Sequence, residues 1–297
     1  MFTFSGDVAG WSDTGVYMMA EIMVGTCSWS QHEGYYPEGL PSNEQISFYA
    51  REFPVVELDA TFYRMMPRRN FELWAERTPQ GFQFDVKPYR QLTWHDRKHP
   101  PDDEVTAAFR ELLQPLRDAD KLGAVHFQFP PWFKHEEDTL GYLRHLRDGF
   151  PDDRLSVEFR HRSWLEGEGL PEVLEVLRDE GISLTVVDEP QLGSGSVPTV
   201  LEVTNPDLVI IRFHGRNYKK WYAKVESTSE RFDYLYSQEE LEEWVPKVEQ
   251  LAQEAREIHA LFNNNAQDYP VRNARQLRAL LEERVTQAEI VPAQAQG

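Results

Sequence analysis

Eight short apolar runs, separated by segments with helical spacing, most constrain how this chain can fold. Each run is rich in Val, Ile, Leu or Phe and is followed by polar residues, glycine or proline, which is typical of buried parallel strands. The runs lie within Glu21–Thr26, Val55–Asp59, Gly81–Lys87, Ala124–Phe129, Arg154–Phe159, Ile182–Val187, Val209–Arg216 and Ile258–Phe262.

Helical periodicity or capping signals occupy most of the intervals between these runs. The predicted helices include one capped by Ser42 or Asn43, one around Trp74, and Pro100–Arg117, Glu136–Asp148, Leu170–Glu180, Gln238–Glu257 and Val271–Val285. The interval 189–206 is rich in Gly, Ser and Pro, so the helix after the sixth strand is predicted to be short or missing. This alternation predicts an α/β fold, a single (β/α)8 barrel of the TIM type. The alternative, a doubly wound sheet, would favour an early G-x-G-x-x-G turn, which the sequence lacks.

The barrel domain is predicted to span residues 21–285. Residues 1–20 lack the basic start of a signal peptide, and Met18, Met19 and Met23 lie close to the first strand. We therefore predict that residues 1–20 are a disordered leader or a mis-assigned start. Residues 286–297 are poor in large apolar side chains and are predicted to form a flexible tail. No apolar run approaches the ~20 residues of a membrane span, so no membrane association is expected.

The composition is strongly acidic and poor in lysine. The formal net charge is −19, with 50 Asp and Glu against 31 Lys and Arg, and only 8 of these are Lys. Such a surface favours a host that lives at high salt, although an ordinary acidic protein is the alternative. It argues against a broad nucleic-acid-binding face but leaves room for a local basic pocket. The single Cys27 excludes an internal disulfide and fits a cytoplasmic location.

Polar side chains follow the predicted strands at their carboxyl ends, which meet at one face of a barrel. Residues two apart share a face, so Arg212 and His214 are expected to point inward together. The sequence therefore predicts a polar pocket at this mouth. Its candidate catalytic residues are Glu57, Lys87, Glu158, Asp188 and His214, and its candidate ligand-binding residues are Trp29, Tyr63, Gln128, Arg160, Arg212, Arg216, Asn263 and Asn264.

The same residues admit a structural interpretation. The acidic and basic strand ends could neutralise one another in one ion network, and loop aromatic side chains could simply cover the mouth. Desolvating each ion costs on the order of several kcal/mol, so a fold that needs only stability gains little from such a network. A functional pocket is the preferred interpretation.

Lys87 and His214 carry the most versatile chemistry of this set. Burial would lower the pKa of Lys87 and permit Schiff-base or proton-transfer chemistry, but the nearby Asp85 would raise it, which favours an electrostatic clamp on an anion. His214 could act as a general acid or base, a metal ligand, a donor to an anion, or a core histidine. No motif such as H-E-x-x-H supports a metal centre, and none identifies a cofactor.

Several segments occur in a recognisable order. They are Gly25-Thr-Cys-Ser-Trp29, Val56-Glu-Leu-Asp-Ala-Thr-Phe-Tyr-Arg64, Phe84-Asp-Val-Lys87, Phe127-Gln-Phe-Pro-Pro131, Glu158-Phe-Arg-His161, Asp188-Glu-Pro190, Arg212-Phe-His-Gly-Arg216 and Phe262-Asn-Asn264. Through them the chain resembles the YecE-like family, also known as domain of unknown function 72. The resemblance covers residues 22–284 and implies a (β/α)8 barrel, but it carries no established reaction. Asp59 stands where the family pattern favours a neutral Asn, which makes the mouth less cationic.

Three functional hypotheses follow from these observations. The leading one is a barrel protein that binds a small polar, anionic ligand through Lys87, Arg212, His214 and Arg216 and performs acid–base chemistry on it. The second is a metal-dependent hydrolase or isomerase acting on a sugar or nucleic-acid phosphate. The third is a non-catalytic binding or regulatory module.

Overall fold

The computed structural model describes residues 19–30, 32–193, 196–221, 223 and 228–293. The strands are β1 Ala20–Cys27, β2 Val55–Leu58, β3 Gln83–Val86, β4 Leu122–Gln128, β5 Leu155–Glu158, β6 Ile182–Leu184, β7 Val186–Asp188, β8 Val209–Phe213, β9 Glu257–Phe262 and β10 Ala288–Ile290. The helices are α1 Gln45–Tyr49, α2 Ala60–Tyr63, α3 Arg68–Glu76, α4 Asp103–Leu112, α5 Gln114–Asp118, α6 Glu137–Gly149, α7 Gly169–Asp179, α8 Gln238–Glu242, α9 Val245–Ala252 and α10 Tyr269–Arg284, with 3-10 turns at Arg162–Trp164 and Thr228–Phe232.

The strands form one parallel sheet that curls into a barrel, in the order β6-β5-β4-β3-β2-β1-β9-β8-β7. β6 and β7 are the two halves of one predicted strand, interrupted at Thr185. β6 pairs with β5, and β7 pairs with β8, so this stretch closes the barrel. The prediction of a single TIM-type barrel is therefore confirmed. No α-helix lies between β7 and β8 among the described residues, as the loop-like sequence there predicted.

The alternation of side chains along the strands produces two layers. Val56, Leu58, Val157, Ile211 and Phe213 point outward and join the main apolar core beneath the helices. The inward positions form a smaller apolar cluster and otherwise carry the polar side chains. The inner apolar cluster consists of Met23, Cys27, Val55, Ala124, Leu208, Ile210 and Leu261.

Two predicted helices and part of the predicted tail differ from the structure. The helix predicted over Pro100–Arg117 is divided into α4 and α5, with Pro115 in the first turn of α5. The helix predicted over Gln238–Glu257 is also two helices, α8 and α9. α9 begins at Val245 with Pro246 in its first turn, and the chain turns into β9 at Glu257. Residues 288–290, within the tail predicted to be flexible, form β10. β10 pairs in parallel with β1, from Ala20 opposite Ala288 to Ile22 opposite Ile290. This edge of β1 accepts a strand because β2 pairs only with its last residues, Thr26 and Cys27.

The leader predicted for residues 1–20 falls almost entirely outside the described residues, which begin at Met19. β1 starts at Ala20, one residue before the predicted barrel boundary. Within the described ranges, no helix is long and apolar enough to cross a membrane.

A buried charge cluster occupies the barrel interior toward the amino-terminal ends of β5 and β9. His259 Nδ1 lies 2.8 Å from Asp85 Oδ2, and its Nε2 lies 2.6 Å from Glu257 Oε1. Arg154 Nη1 donates to Glu257 Oε1 at 2.9 Å. Gly123 leaves room for this cluster, since a Cβ there would lie 2.5 Å from Asp85 Oδ1. Asp85, which was predicted to lie beside Lys87 at the mouth, contacts His259 in this cluster instead.

The cluster predicts a pH-dependent term in stability. Burial alone would lower the pKa of His259, but Asp85 and Glu257 together raise it to about 9. Because the folded pKa exceeds the unfolded value of about 6.5, this stabilisation is fully present below pH ~6.5 and is lost as the pH rises toward 9. We expect H259Q to lower the free energy of unfolding by roughly 3–5 kcal/mol at pH 6 and by less at pH 9, as measured by urea denaturation.

H145Q is the matched control, because His145 pairs with Asp148 on the exposed face of α6. It should change the unfolding free energy little at either pH. An H259Q effect that is equal at pH 6 and pH 9 would contradict the assignment of a charged His259.

Candidate functional site

Arg212 is the centre of a second buried network, at the carboxyl ends of the strands. Its side chain is only 1% exposed. Nη2 donates to Glu57 Oε1 of β2 at 2.7 Å, and Nη1 contacts Glu158 Oε2 of β5. Cys27 Sγ lies 3.6 Å from Nη2. Arg212, predicted as a ligand-binding residue, is instead paired with two carboxylates through Nη1 and Nη2 and is buried.

Glu158 joins this network to Arg160 and His214. Glu158 Oε1 lies 2.5 Å from Arg160 Nε and 3.1 Å from His214 Nε2. Burial alone would raise the pKa of Glu158, but Arg160 and Arg212 hold it well below its ordinary value. Glu158 is therefore ionised across the physiological range. A proton-transfer role for it is disfavoured, although it remains the anchor of both arginines.

His214 is buried and lies between a cation and an amide. Its Nε2 is 2.8 Å from Arg160 Nη2, and the Asn263 amide nitrogen is 2.9 Å from its Nδ1. Burial, followed by repulsion from Arg160, lowers the pKa of His214 to about 3. The imidazole is thus neutral at neutral pH, which disfavours its predicted role as a general acid. The next residue, Gly215, adopts φ +84°, and a Cβ there would lie 2.7 Å from Tyr234 Cβ, so the turn after His214 requires glycine.

Asp188 and Arg216 form a separate cluster on the outside of the barrel. Asp188 pairs in register with Phe213, which points to the helices, and it accepts hydrogen bonds from Trp244 Nε1 at 2.6 Å and Tyr236 OH at 3.1 Å. Arg216 Nη2 donates to Asp188 Oδ2 at 2.7 Å, and Nη1 donates to Glu243 at 2.9 Å. The prediction that Asp188 and Arg216 share the inward network is therefore wrong. Their contacts hold β7 against the segment that leads into α8.

Glu189 takes the inward position that the sequence assigned to Asp188. It is buried, its Oε2 accepts from Arg160 Nη1 at 2.9 Å, and its Oε1 accepts from Val197 N at 2.7 Å. Burial raises the pKa of Glu189 to about 7, although Arg160 opposes the rise. The sequence did contain the signal, because Glu189 shares the parity of Thr185, whose hydroxyl contacts Ser156 inside the barrel.

Lys87 lies half-buried at the mouth beside Gln128. Its Nζ donates to Gln128 Oε1 at 3.1 Å and lies 4.9 Å from the centre of the Phe62 ring. No carboxylate oxygen of the described residues lies within 4 Å of this amine. Burial lowers the pKa of Lys87, and Arg212 adds to that effect against the opposing Glu57. The predicted rise caused by Asp85 does not operate, since His259 binds that carboxylate.

The other predicted binding residues divide between the mouth and the outer layers. Asn263 contacts His214, whereas Asn264 is buried and donates to Tyr234 O and Asn273 Oδ1, both at 2.8 Å. Trp29 packs against Trp74 of α3 and Phe84, on the helix side of the sheet. Tyr63 is 72% exposed at the end of α2. Gln128 and Asn263 therefore stand at the mouth, while Asn264 and Trp29 serve packing.

An aromatic wall, made of Phe62, His95 and Trp132, adjoins Lys87 and was not predicted. His95 contacts Phe62 at 4.8 Å and Trp132 at 5.9 Å between ring centres. Trp132 is 45% exposed, and the Arg97 guanidinium lies 4.2 Å from its ring centre. Burial, followed by repulsion from Lys87, lowers the pKa of His95 to about 4. The wall offers a neutral, largely apolar face beside a cationic amine.

The part of the chain that the structure describes contains no metal cage, and one surface groove lies away from the mouth. The described residues contain no group of three or more His, Cys, Asp or Glu side chains placed to hold a metal ion. A surface groove of about 690 Å³ lies elsewhere, between α4 and α6, where Tyr142, Asp148 and Phe150 line it. At the mouth, Lys87, Gln128, Arg160 and Asn263 are partly exposed.

The burial of Arg212 predicts a large effect on stability. R212M removes the only cation bonded to Glu57 among the described residues and one of two bonded to Glu158, which leaves buried charge without compensation. We expect it to lower the free energy of unfolding by roughly 3–5 kcal/mol in chemical denaturation. R275M is the control, because its partially exposed pair with Glu52 should contribute about 0–1 kcal/mol. Equal losses in both variants would show that Arg212 does not organise the mouth.

Comparison with known proteins agrees with the barrel fold. The family model described as "Protein of unknown function DUF72" matches residues 23–296. The chain is 39% identical over 267 residues to the UPF0759 protein YunF of Bacillus subtilis, covering 88% of this chain and 95% of that protein. It is 29% identical over 213 residues to the UPF0759 protein YecE of Escherichia coli K12, covering 65% and 74% respectively.

Two solved structures share the fold over nearly their whole length. A DUF72 family protein from Enterococcus faecalis matches with a TM-score of 0.81 and 30% identity, covering 93% of this chain and 100% of that one. A DUF72 family protein from Thermotoga maritima matches with a TM-score of 0.78 and 34% identity, covering 88% and 99%. The chain with this barrel and this charged mouth is therefore a member of the DUF72 family.

Proposed function

We propose that the carboxyl-terminal mouth of the barrel binds a small anionic ligand and performs acid–base chemistry on it. The observation that carries the proposal is the amine of Lys87, which is half-buried at the mouth with an amide partner and with no carboxylate oxygen of the described residues within 4 Å. Desolvating a cation that has no charged partner is costly unless an anion pairs with it. The ligand-contacting groups would be Lys87, Gln128, Arg160 and Asn263.

The charge balance of the mouth supports an anionic ligand. Three cations, Lys87, Arg160 and Arg212, face two carboxylates, Glu57 and Glu158, whose pKa values are held low. The two remaining acids are Asp59 and Glu189, and burial raises the pKa of both. A bound anion can therefore supply the negative charge that Glu189, with a pKa raised to about 7, gives up when it is protonated.

Acid–base chemistry would fall to Glu189 rather than to His214. Efficient proton transfer at neutral pH requires a pKa near the working pH. The pKa of Glu189 is raised to about 7, whereas that of His214 is lowered to about 3. His214 would then orient Arg160, with which it shares a 2.8 Å contact.

The alternative hypotheses receive less support. The metal-dependent hydrolase has no favouring observation, because the described residues contain no three-ligand group. A non-catalytic binding module would use the same donors and would differ only in lacking turnover. Its one distinguishing feature is the exposure of Tyr63 and Trp132 at the rim.

Binding of inorganic phosphate tests the proposed site. K87M removes a charge-assisted hydrogen bond worth about 1.5–3 kcal/mol, so we expect phosphate to bind roughly ten- to hundredfold more weakly than to the unmodified protein. The measurement is isothermal titration calorimetry in low-salt buffer. K247M is the matched control, because Lys247 also lies half-buried over an aromatic ring, 4.5 Å from the centre of Trp244, but outside the barrel. Equal affinity in K87M and the unmodified protein, or no phosphate binding at all, would refute the proposal.

We further propose that the chain works in a reducing cytosol at high salt, on the basis of its lone Cys27 and its net charge of −19. Salt screens charge repulsion over about 10 Å at 0.1 M and about 3 Å at 1 M. We therefore expect the Tm to rise as KCl increases from 0.1 M to 2 M, as followed by circular dichroism. A Tm that stays constant or falls over this range would contradict adaptation to salt.

A further inference from the structure

We propose that Lys87 forms a Schiff base with the carbonyl carbon of its ligand, and that the ligand is a small 2-oxo acid or a similar aldehyde or ketone that carries an anionic group. The inference rests on the proposed function of the mouth and names its substrate class. It requires a lysine that is accessible, weakly coordinated and close to a group that can hold the anion.

The surroundings of Lys87 leave its amine available. Within the described part of the chain, Gln128 Oε1 is its one hydrogen-bond partner, at 3.1 Å, and the Phe62 ring lies beneath it. The side chain is half-buried and therefore open to a small molecule at the mouth. An amine with one neutral partner can lose a proton and direct its lone pair toward a carbonyl carbon.

Lys121 shows how this chain holds a lysine that has a structural role. Its Nζ donates to Ala75 O at 2.6 Å, to Thr78 O at 2.7 Å and to Thr78 Oγ1 at 3.2 Å. Three acceptors fix all three ammonium hydrogens and leave no lone pair for chemistry. Lys87 has none of these carbonyl partners, so stability does not account for its placement.

The electrostatic surroundings of Lys87 also favour its neutral amine. Burial lowers the pKa of Lys87, and the charge of Arg212 lowers it further. Glu57 and Asp59 act to raise this pKa, but neither contacts the amine. Asp85 shares a face of β3 with Lys87, but its carboxylate is bound to His259. A larger fraction of Lys87 is therefore neutral than of an exposed lysine.

The reaction balances with the groups present. The amine nitrogen attacks the carbonyl carbon, a C–N bond forms, and the carbonyl electron pair moves to oxygen. The two amine hydrogens and that oxygen then leave as one water molecule, and a C=N bond remains. Arg160, partly exposed just after β5 and two strands away from β3 in the sheet, would supply positive charge to the carboxylate of a 2-oxo acid in addition to its contacts with Glu158 and Glu189.

Reductive trapping tests this inference. The full chain is incubated with pyruvate and, in parallel, with glyoxylate, each with and without sodium borohydride, and is then mapped by peptide mass spectrometry. We expect a borohydride-dependent adduct at Lys87 that exceeds the labelling of each of the other seven lysines by at least tenfold. K87R should lose this adduct, and K247R should keep it.

Phosphate calorimetry on the same samples separates this inference from the proposed function. Adducts spread evenly over the surface lysines, or none at Lys87, would overturn the Schiff-base inference, and phosphate binding by the same protein would leave the anion site standing. If K87R does not fold, competitive acetylation of the unmodified protein decides the matter. Lys87 should then react with a midpoint at lower pH than Lys247, and an equal or higher midpoint would overturn the inference.

Discussion

The contact of Arg212 with Glu57 and Glu158 is the interaction on which the mouth of this barrel depends. Arg212 extends from β8 to β2 and β5, across an interior from which water is largely excluded. Each of these ions would be costly to bury alone, so the fold requires that they pair with one another. Glu158 then holds Arg160, and Arg160 holds Glu189 and His214. The positions of the candidate site residues follow from this one guanidinium.

Alternation along the strands divides the charged residues into groups with different tasks. Glu57, Glu158 and Arg212 point inward. Asp188 faces outward and accepts a hydrogen bond from Trp244, which precedes α9. A third group, around His259, lies toward the other end of the barrel. Because these groups do not share ions, the mouth retains an amine, Lys87, that no carboxylate of the described chain neutralises. That separation makes the mouth chemically distinct from the rest of the interior.

Much of the fold could be predicted because it depends on local periodicity. Eight apolar runs, the missing helix after the sixth strand and the inward parity of Arg212 and His214 are all confirmed. The site was predicted less completely, because pairing depends on residues far apart in the chain. The strand pattern places Asp188 at the mouth. Its partners Tyr236 and Trp244, which hold it on the outer face, lie 48 and 56 positions away and are not visible in that local pattern. Glu189 was missed, although its parity with Thr185 pointed inward.

By itself, the sequence determined the eight strand segments of the barrel, the inward face of Arg212 and His214 and the mouth at which polar side chains gather. These follow from side-chain alternation and apolar burial, which are properties of short segments. Only the tertiary structure decided which charges meet. His259, 174 positions from Asp85, binds that carboxylate, while Arg212 pairs with Glu57 and Glu158. The protonation and availability of Lys87 are consequences of those long-range contacts, because a pKa depends on the charges and burial around a group rather than on its neighbours in sequence.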